Sequence, residues 1–164
     1  MPNMSLIYGH RGVPVKFPEN SLAGFAYAIS HHIDGLEFDV HLTKDQVPVI
    51  MHDERIDRTT NGQGAIADLT FEQLRRFKLA NGEPVPSLQE FLTLVSGEPV
   101  HLNLELKTDR HYYLDIERIV LRMVQQTDLI YPVVFSSFNL KSLQRAYAID
   151  ASQTSAFLTS ARLG

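Results

Sequence analysis

Two spacings alternate along this chain. Leu22, Phe25, Ala26 and Ile29 recur at helical intervals, and so do Ile116, Ile119, Val120 and Met123, and later Leu140, Leu143 and Tyr147. Each set predicts a helix with one apolar stripe. Asn20 or Ser21 can cap the first of these, and Asn139 opens the last. Thr70 with Gln73 and Ser87 with Glu90 are capping-box pairs ahead of Leu74 and Phe77 and of Phe91, Leu92 and Val95. Pro84 and Pro86 keep these two helices apart. Between the helical segments lie short runs that are apolar throughout or alternate with period two. They cover residues 5–8, 35–42, 47–51, 100–106, 133–135 and 154–158. These are the predicted strands. Thr43-Lys44-Asp45-Gln46 reads as a tight turn, and residues 57–67, with Thr59-Thr60-Asn61-Gly62 and Gly64, as a loop.

Strands alternating with helices predict a parallel sheet, either an open doubly wound sheet or a β/α barrel. Local pattern does not choose between them. About six strands can be counted, whereas a complete barrel has eight in roughly 250 residues. The chain has 164 residues and no internal repeat or linker, so one domain over residues 1–164 is expected.

Parallel strands covered on both faces read as nearly unbroken apolar runs. Two strands here break that rule. Glu37, Asp39 and His41 alternate with Leu36, Phe38, Val40 and Leu42, and Asn103, Glu105 and Lys107 alternate with Leu102, Leu104 and Leu106. Side chains two apart share a face, so each strand presents one apolar face and one face bearing acids. A bound cation is the simplest compensation for burying such a cluster. The carboxylates of Glu37, Asp39 and Glu105 are hard oxygen ligands suited to Mg²⁺ or Ca²⁺. An antiparallel sheet with one solvated face gives the same alternation, but the intervening helices speak against it. His10 follows the first strand and His52 the third, and sites in α/β proteins gather at the carboxyl ends of parallel strands. Arg11 and Lys107 add cations suited to an anionic phosphodiester. Taken singly, Arg11 reads equally well as a surface ion pair and Lys107 as a neutralising partner of Glu105.

Charge and composition narrow the field. Fifteen lysines and arginines against 19 acids give a net charge of −4, so no broad basic surface invites nucleic acid. Cysteine is absent, which excludes disulfides and thiolate catalysis. The N-terminal residues lack a basic stretch followed by a long apolar run, and no window approaches the ~20 apolar residues of a membrane span. A cytoplasmic protein is expected.

Taken in order, a set of short motifs resembles the glycerophosphodiester phosphodiesterase family. They are His10-Arg11-Gly12, Pro18-Glu19-Asn20-Ser21, Glu37-Phe38-Asp39-Val40, Thr43-Lys44-Asp45, Pro48-Val49, His52-Asp53, Arg58-Thr59-Thr60, Gly62, Pro86-Ser87-Leu88-Gln89-Glu90, Leu104-Glu105-Leu106-Lys107 and Ser136-Ser137-Phe138. The resemblance runs over residues 7–138 and implies a TIM (β/α) barrel of the phosphatidylinositol-phosphodiesterase type. It implies metal-dependent hydrolysis of a small glycerophosphodiester to glycerol phosphate and an alcohol. By the same resemblance His10 and His52 are the catalytic pair, Glu37, Asp39 and Glu105 the ligands of Mg²⁺ or Ca²⁺, and Arg11 and Lys107 the phosphate contacts. Ser21 stands where the family usually has threonine, and His41 where it often has a small or amide residue. The family's tryptophan-bearing final segment has no counterpart, and the barrel is expected to be truncated to about six strands. An inactive remnant that binds metal or phosphodiester, and association of copies into a homo-oligomer that completes the barrel, follow as alternatives. A phospholipase-type phosphodiesterase is a further one.

Overall fold

A computed structural model describes residues 8–14 and 16–159. Among the described residues six strands and five α-helices follow one another, with one 3-10 turn at Ile66–Asp68: β1 (Tyr8–His10), α1 (Leu22–Ser30), β2 (Gly35–Leu42), β3 (Pro48–Ile50), α2 (Phe71–Leu74), α3 (Leu88–Val95), β4 (His101–Leu106), α4 (Ile116–Gln125), β5 (Val134–Ser137), α5 (Leu140–Ile149) and β6 (Thr154–Phe157). The first expected strand thus starts, among the described residues, at Tyr8, and residues 5–7 lie outside them. His10 is the last residue of β1 rather than the residue after it.

Five strands lie side by side in chain order, β1-β2-β4-β5-β6, and every neighbouring pair is parallel. A doubly wound sheet reverses its strand order at a switch point. This one never does, so the architecture is that of a β/α barrel, here five parallel strands in order with a sixth, β3, paired to β2 off that run.

The third strand departs from the expected parallel set. β3 runs antiparallel to β2, with Val40 opposite Ile50 and Leu42 opposite Pro48. A parallel return needs a crossover of a dozen or more residues. The chain reverses instead within a few: Gln46 N–H donates to Thr43 O at 3.0 Å, Thr43 N–H to Val47 O at 3.1 Å, and Gln46 takes φ 63°. β2 extends beyond the short β1, and the hairpin folds back along its free upper portion.

The apolar alternates face the helices. Leu36, Phe38 and Val40 of β2, with Leu102, Leu104 and Leu106 of β4, pack with Phe25 of α1, Phe91 of α3, Val120 of α4 and Leu143 of α5. The Phe91 ring lies 4.8 Å from Phe25 and 4.2 Å from Phe38 between centroids. A second cluster, Val49, Met51, Ile56, Ile66, Leu74, Leu79 and Val85, sits within the segment between β2 and α3. Ser21, not Asn20, caps α1, accepting from Gly24 N–H at 3.1 Å. Both capping boxes form as expected. Among the described residues no helix is long and apolar enough to cross a membrane. Leu140, Tyr147 and Ile149 of α5 and Phe157 of β6 are exposed.

Candidate active site

Register converts the alternating pattern into two rows. His10, Glu37 and Asn103 are partners across β1, β2 and β4, and Asp39, Glu105 and Ser136 are partners across β2, β4 and β5. Partners in adjacent parallel strands point to the same face, with strands ~4.8 Å apart. Four predicted site residues therefore share the face opposite the helices, and His10, Glu37, Asp39 and Glu105 all line one cavity of about 230 Å³. His52 and Lys107 line a second cavity of about 980 Å³ with Asp53, Asp109 and Arg110. Phe138 and Leu158 line both, so the cavities adjoin. His10 thus lines the smaller cavity and His52 the larger, with shared walls between them.

The predicted cations are held against the acids. Arg11 Nη1 donates to Glu19 Oε2 at 3.3 Å, and its Nε lies 3.8 Å from Asp39 Oδ2. That Nε is buried and has no hydrogen-bond partner among the described residues. Asp39, 4% exposed, also accepts from Asn20 Nδ2 at 3.4 Å. Arg11 adopts φ 55°, a left-handed conformation costing a non-glycine residue about 1–3 kcal/mol. The turn is held by Arg11 N–H donating to Glu37 O at 2.9 Å and by Asn20 N–H donating to Arg11 O at 2.7 Å. Lys107 Nζ stands 2.9 Å from Glu105 Oε2 as an ion pair, without the alignment of a hydrogen bond, and that buried oxygen is otherwise unpartnered. Burial pushes the Glu105 carboxyl up; Lys107 opposes this, while the charges of Asp39 and Asp109 add to it.

His52 is the head of a longer chain of contacts. Its Nδ1 lies 2.8 Å from Asp53 Oδ1. An ionised carboxylate only accepts, so Nδ1 carries the proton and Nε2 is left free for chemistry. Arg58 grips Asp53 through Nε and Nη2 at 2.8 and 3.0 Å. The same guanidinium grips Glu19 through Nη1 and Nη2 at 2.6 and 3.1 Å. Hydrogen bonds from Arg58 hold the Asp53 carboxyl well below the ordinary carboxylate range, with His52 adding to the effect. Burial alone would raise Glu19, but Arg58 and Arg11 bring it net below its ordinary value. The chain His52–Asp53–Arg58–Glu19–Arg11–Asp39 links the two compartments. Asp53, Arg58, Glu19 and Asn20 fall within the recognised motifs, but their part in this network has no signature in the local pattern.

His41 lies on β2, on the same face as Glu37 and Asp39. It is fully buried, with Nδ1 2.8 Å from the Tyr113 hydroxyl and Nε2 3.1 Å from the His52 carbonyl oxygen. Burial pushes its pKa down to about 4, so the ring is neutral near pH 7.

Among the described residues no group of three or more histidines, aspartates and glutamates is drawn together so as to hold a metal ion. Asp39 and Glu105 are turned toward Arg11, Asn20 and Lys107. The donor chemistry nevertheless fits a hard cation: carboxylate oxygens in adjoining rows, one of them the buried, incompletely satisfied Glu105 Oε2.

Strands in chain order, with acids and imidazoles at one edge, define a β/α-barrel protein. The family model "Glycerophosphoryl diester phosphodiesterase family" matches residues 10–163, and the chain belongs to that family. A glycerophosphodiester phosphodiesterase of Caldanaerobacter subterraneus is 36% identical over 148 residues, covering 85% of this chain and 60% of the relative. One from Bacillus altitudinis is 35% identical with the same coverage. The chain thus spans about 60% of the length of these curated relatives. Among solved structures, an Oleispira antarctica phosphodiesterase in complex with the product sn-glycerol-3-phosphate superposes with TM-score 0.84 at 30% identity, over 96% of this chain and 67% of that one. A glycerophosphodiester phosphodiesterase from Thermotoga maritima gives 0.79 at 28%, over 98% and 65%.

Proposed function

We propose that this chain carries the metal-dependent, two-histidine site of a glycerophosphodiester phosphodiesterase. One observation supports the reading above the rest. The strand register sets His10 beside Glu37 and Asp39 beside Glu105 on one face, next to the cavity of His52 and Lys107. Family membership and the glycerol-phosphate complex of the Oleispira relative point to the same substrate class.

In this reading the substrate is a small glycerophosphodiester, and the products are glycerol phosphate and an alcohol. One imidazole takes a proton from an attacking water as the water oxygen bonds to phosphorus. The other delivers a proton to the alcohol oxygen as its bond to phosphorus breaks. Asp53 holds the His52 ring with Nε2 facing outward. Arg11 and Lys107 offset the charge that grows on the phosphate oxygens. Glu37, Asp39 and Glu105 would hold Mg²⁺ or Ca²⁺, which supplies Lewis-acid polarisation of a phosphate oxygen and a lowered pKa for a bound hydroxyl.

The deciding experiment is release of choline from glycerophosphocholine by the purified chain, with and without chelator. Metal-dependent release supports the reading. A folded chain that turns over no glycerophosphodiester at any Mg²⁺ or Ca²⁺ concentration refutes it. The exposed apolar residues of α5 and β6 favour one addition: copies of the chain associate through this edge. A monomer in sedimentation at high concentration would dismiss that addition.

A further inference from the structure

We propose that His41 is a positioning residue that sets the place of His52 by gripping its main chain, an inference that rests on the acid–base reading of His52. Three observations carry it. First, β2 places residue 41 on the same face as Glu37 and Asp39, at the level reached by the returning hairpin strand. Second, the His52 carbonyl oxygen can only accept, so the Nε2 at 3.1 Å must be protonated and donate to it. On the other side of the ring, Nδ1 lies 2.8 Å from the Tyr113 hydroxyl. Third, both partners of this relay are shut away from water: His41 is 0% and Tyr113 5% exposed.

The relay joins two walls of the larger cavity. Tyr113 belongs to the segment between β4 and α4, which also carries Asp109 and Arg110 of the larger cavity. His41 therefore ties the backbone of one cavity wall to the side chain of another. His52 is fixed at two points, its carbonyl by His41 and its ring by Asp53. A proton-transfer group must stay within hydrogen-bond reach of its partner atom, and small displacements are costly in rate. Packing alone would be served by any apolar side chain of this size; the donor to the His52 carbonyl would not.

The test compares three forms of the full chain: wild type, His41→Leu and His41→Gln. The glutamine amide can donate where Nε2 does, and leucine cannot. His41→Leu is expected to lower kcat about tenfold with KM within roughly twofold, and His41→Gln to recover most of the loss. A second measurement does not need turnover: the ¹⁵N shifts of the His52 ring, assigned by their absence in His52→Ala. They are expected to move toward the mixed-tautomer average in His41→Leu and to stay at wild-type values in His41→Gln. A folded His41→Leu with wild-type His52 shifts overturns the proposal, whether or not the wild type turns over substrate. A His41→Gln as impaired as His41→Leu in both readouts overturns it as well. A wild type with no turnover but with shifts that respond as expected defeats the proposed function and leaves the positioning role standing. Should His41→Leu not fold, Tyr113→Phe replaces it. The His52 shifts are then expected to move the same way, and their constancy counts against the relay.

Discussion

Arg58→Ala would cut the contact chain at its centre. The guanidinium makes four hydrogen bonds of 2.6–3.1 Å, two to Asp53 and two to Glu19. Arg58 is 51% exposed, so water screens the charges and the full strength of buried ion pairs does not apply. Exposed pairs contribute ~0.2–1 kcal/mol each, and two bidentate pairs sharing one cation belong at the upper end, for a total of about 1–2 kcal/mol. Arg58→Lys should recover less than half, because an ammonium cannot serve two carboxylates bidentately. The pH dependence follows from both acids titrating below their ordinary values of 3.8 and 4.5. A depressed carboxyl contributes stability above its unfolded value, and that contribution is lost as pH falls through the folded one. The deficit of Arg58→Ala should therefore be complete at pH 7 and shrink below about pH 4. Urea unfolding followed by circular dichroism at pH 7 and pH 3 measures it. Equal stability at pH 7, or an unchanged deficit at pH 3, would refute the electrostatic argument. With Asp53 no longer anchored by Arg58, the ring it orients is held less firmly, and kcat should fall about tenfold.

His10→Ala and His52→Ala should each lower turnover of glycerophosphocholine by about 10² or more with the fold retained; full activity in either removes that imidazole from the mechanism. Mg²⁺ or Ca²⁺ at 100 times its dissociation constant should stabilise the chain by about 2.7 kcal/mol, read as a rise in Tm that disappears in Asp39→Asn with Glu105→Gln. Phe91→Ala should cost about 3–5 kcal/mol in unfolding free energy, since its ring is fully buried between Phe25 and Phe38. Ser87→Ala removes the cap that accepts from Glu90 N–H at 3.0 Å and should cost about 1 kcal/mol.

The rows of acids were legible because period two and parallel register are both local rules. Once β2 and β4 are neighbours, Glu37 and Asp39 must face Asn103 and Glu105. The capping boxes were legible for the same reason, since each closes within four residues. The direction of β3 is in reach too: Thr43-Lys44-Asp45-Gln46 reads as a tight turn, and a tight turn forbids a parallel return. Placing His52 at the end of a parallel strand conflicts with that constraint. The Arg58–Glu19 grip joins residues 39 apart, and the His41–Tyr113 bond residues 72 apart. No periodicity marks such pairs, because their meeting depends on where the hairpin and the segment after β4 come to rest. The left-handed Arg11 was hidden likewise, since only the enclosing turn forces that conformation on it.

The cluster under the returning hairpin has a consequence for motion. Val49, Met51, Ile56, Ile66, Leu74, Leu79 and Val85 form a hydrophobic nucleus separate from the one beneath the sheet. A segment with its own nucleus can open as a unit while the rest stays folded. His52, Asp53 and Arg58 ride on that unit, whereas His10 and the acids belong to the sheet. Breathing of one small nucleus would thus withdraw one imidazole and leave the other in place, and amide exchange across residues 49–85 would report how often the site is whole.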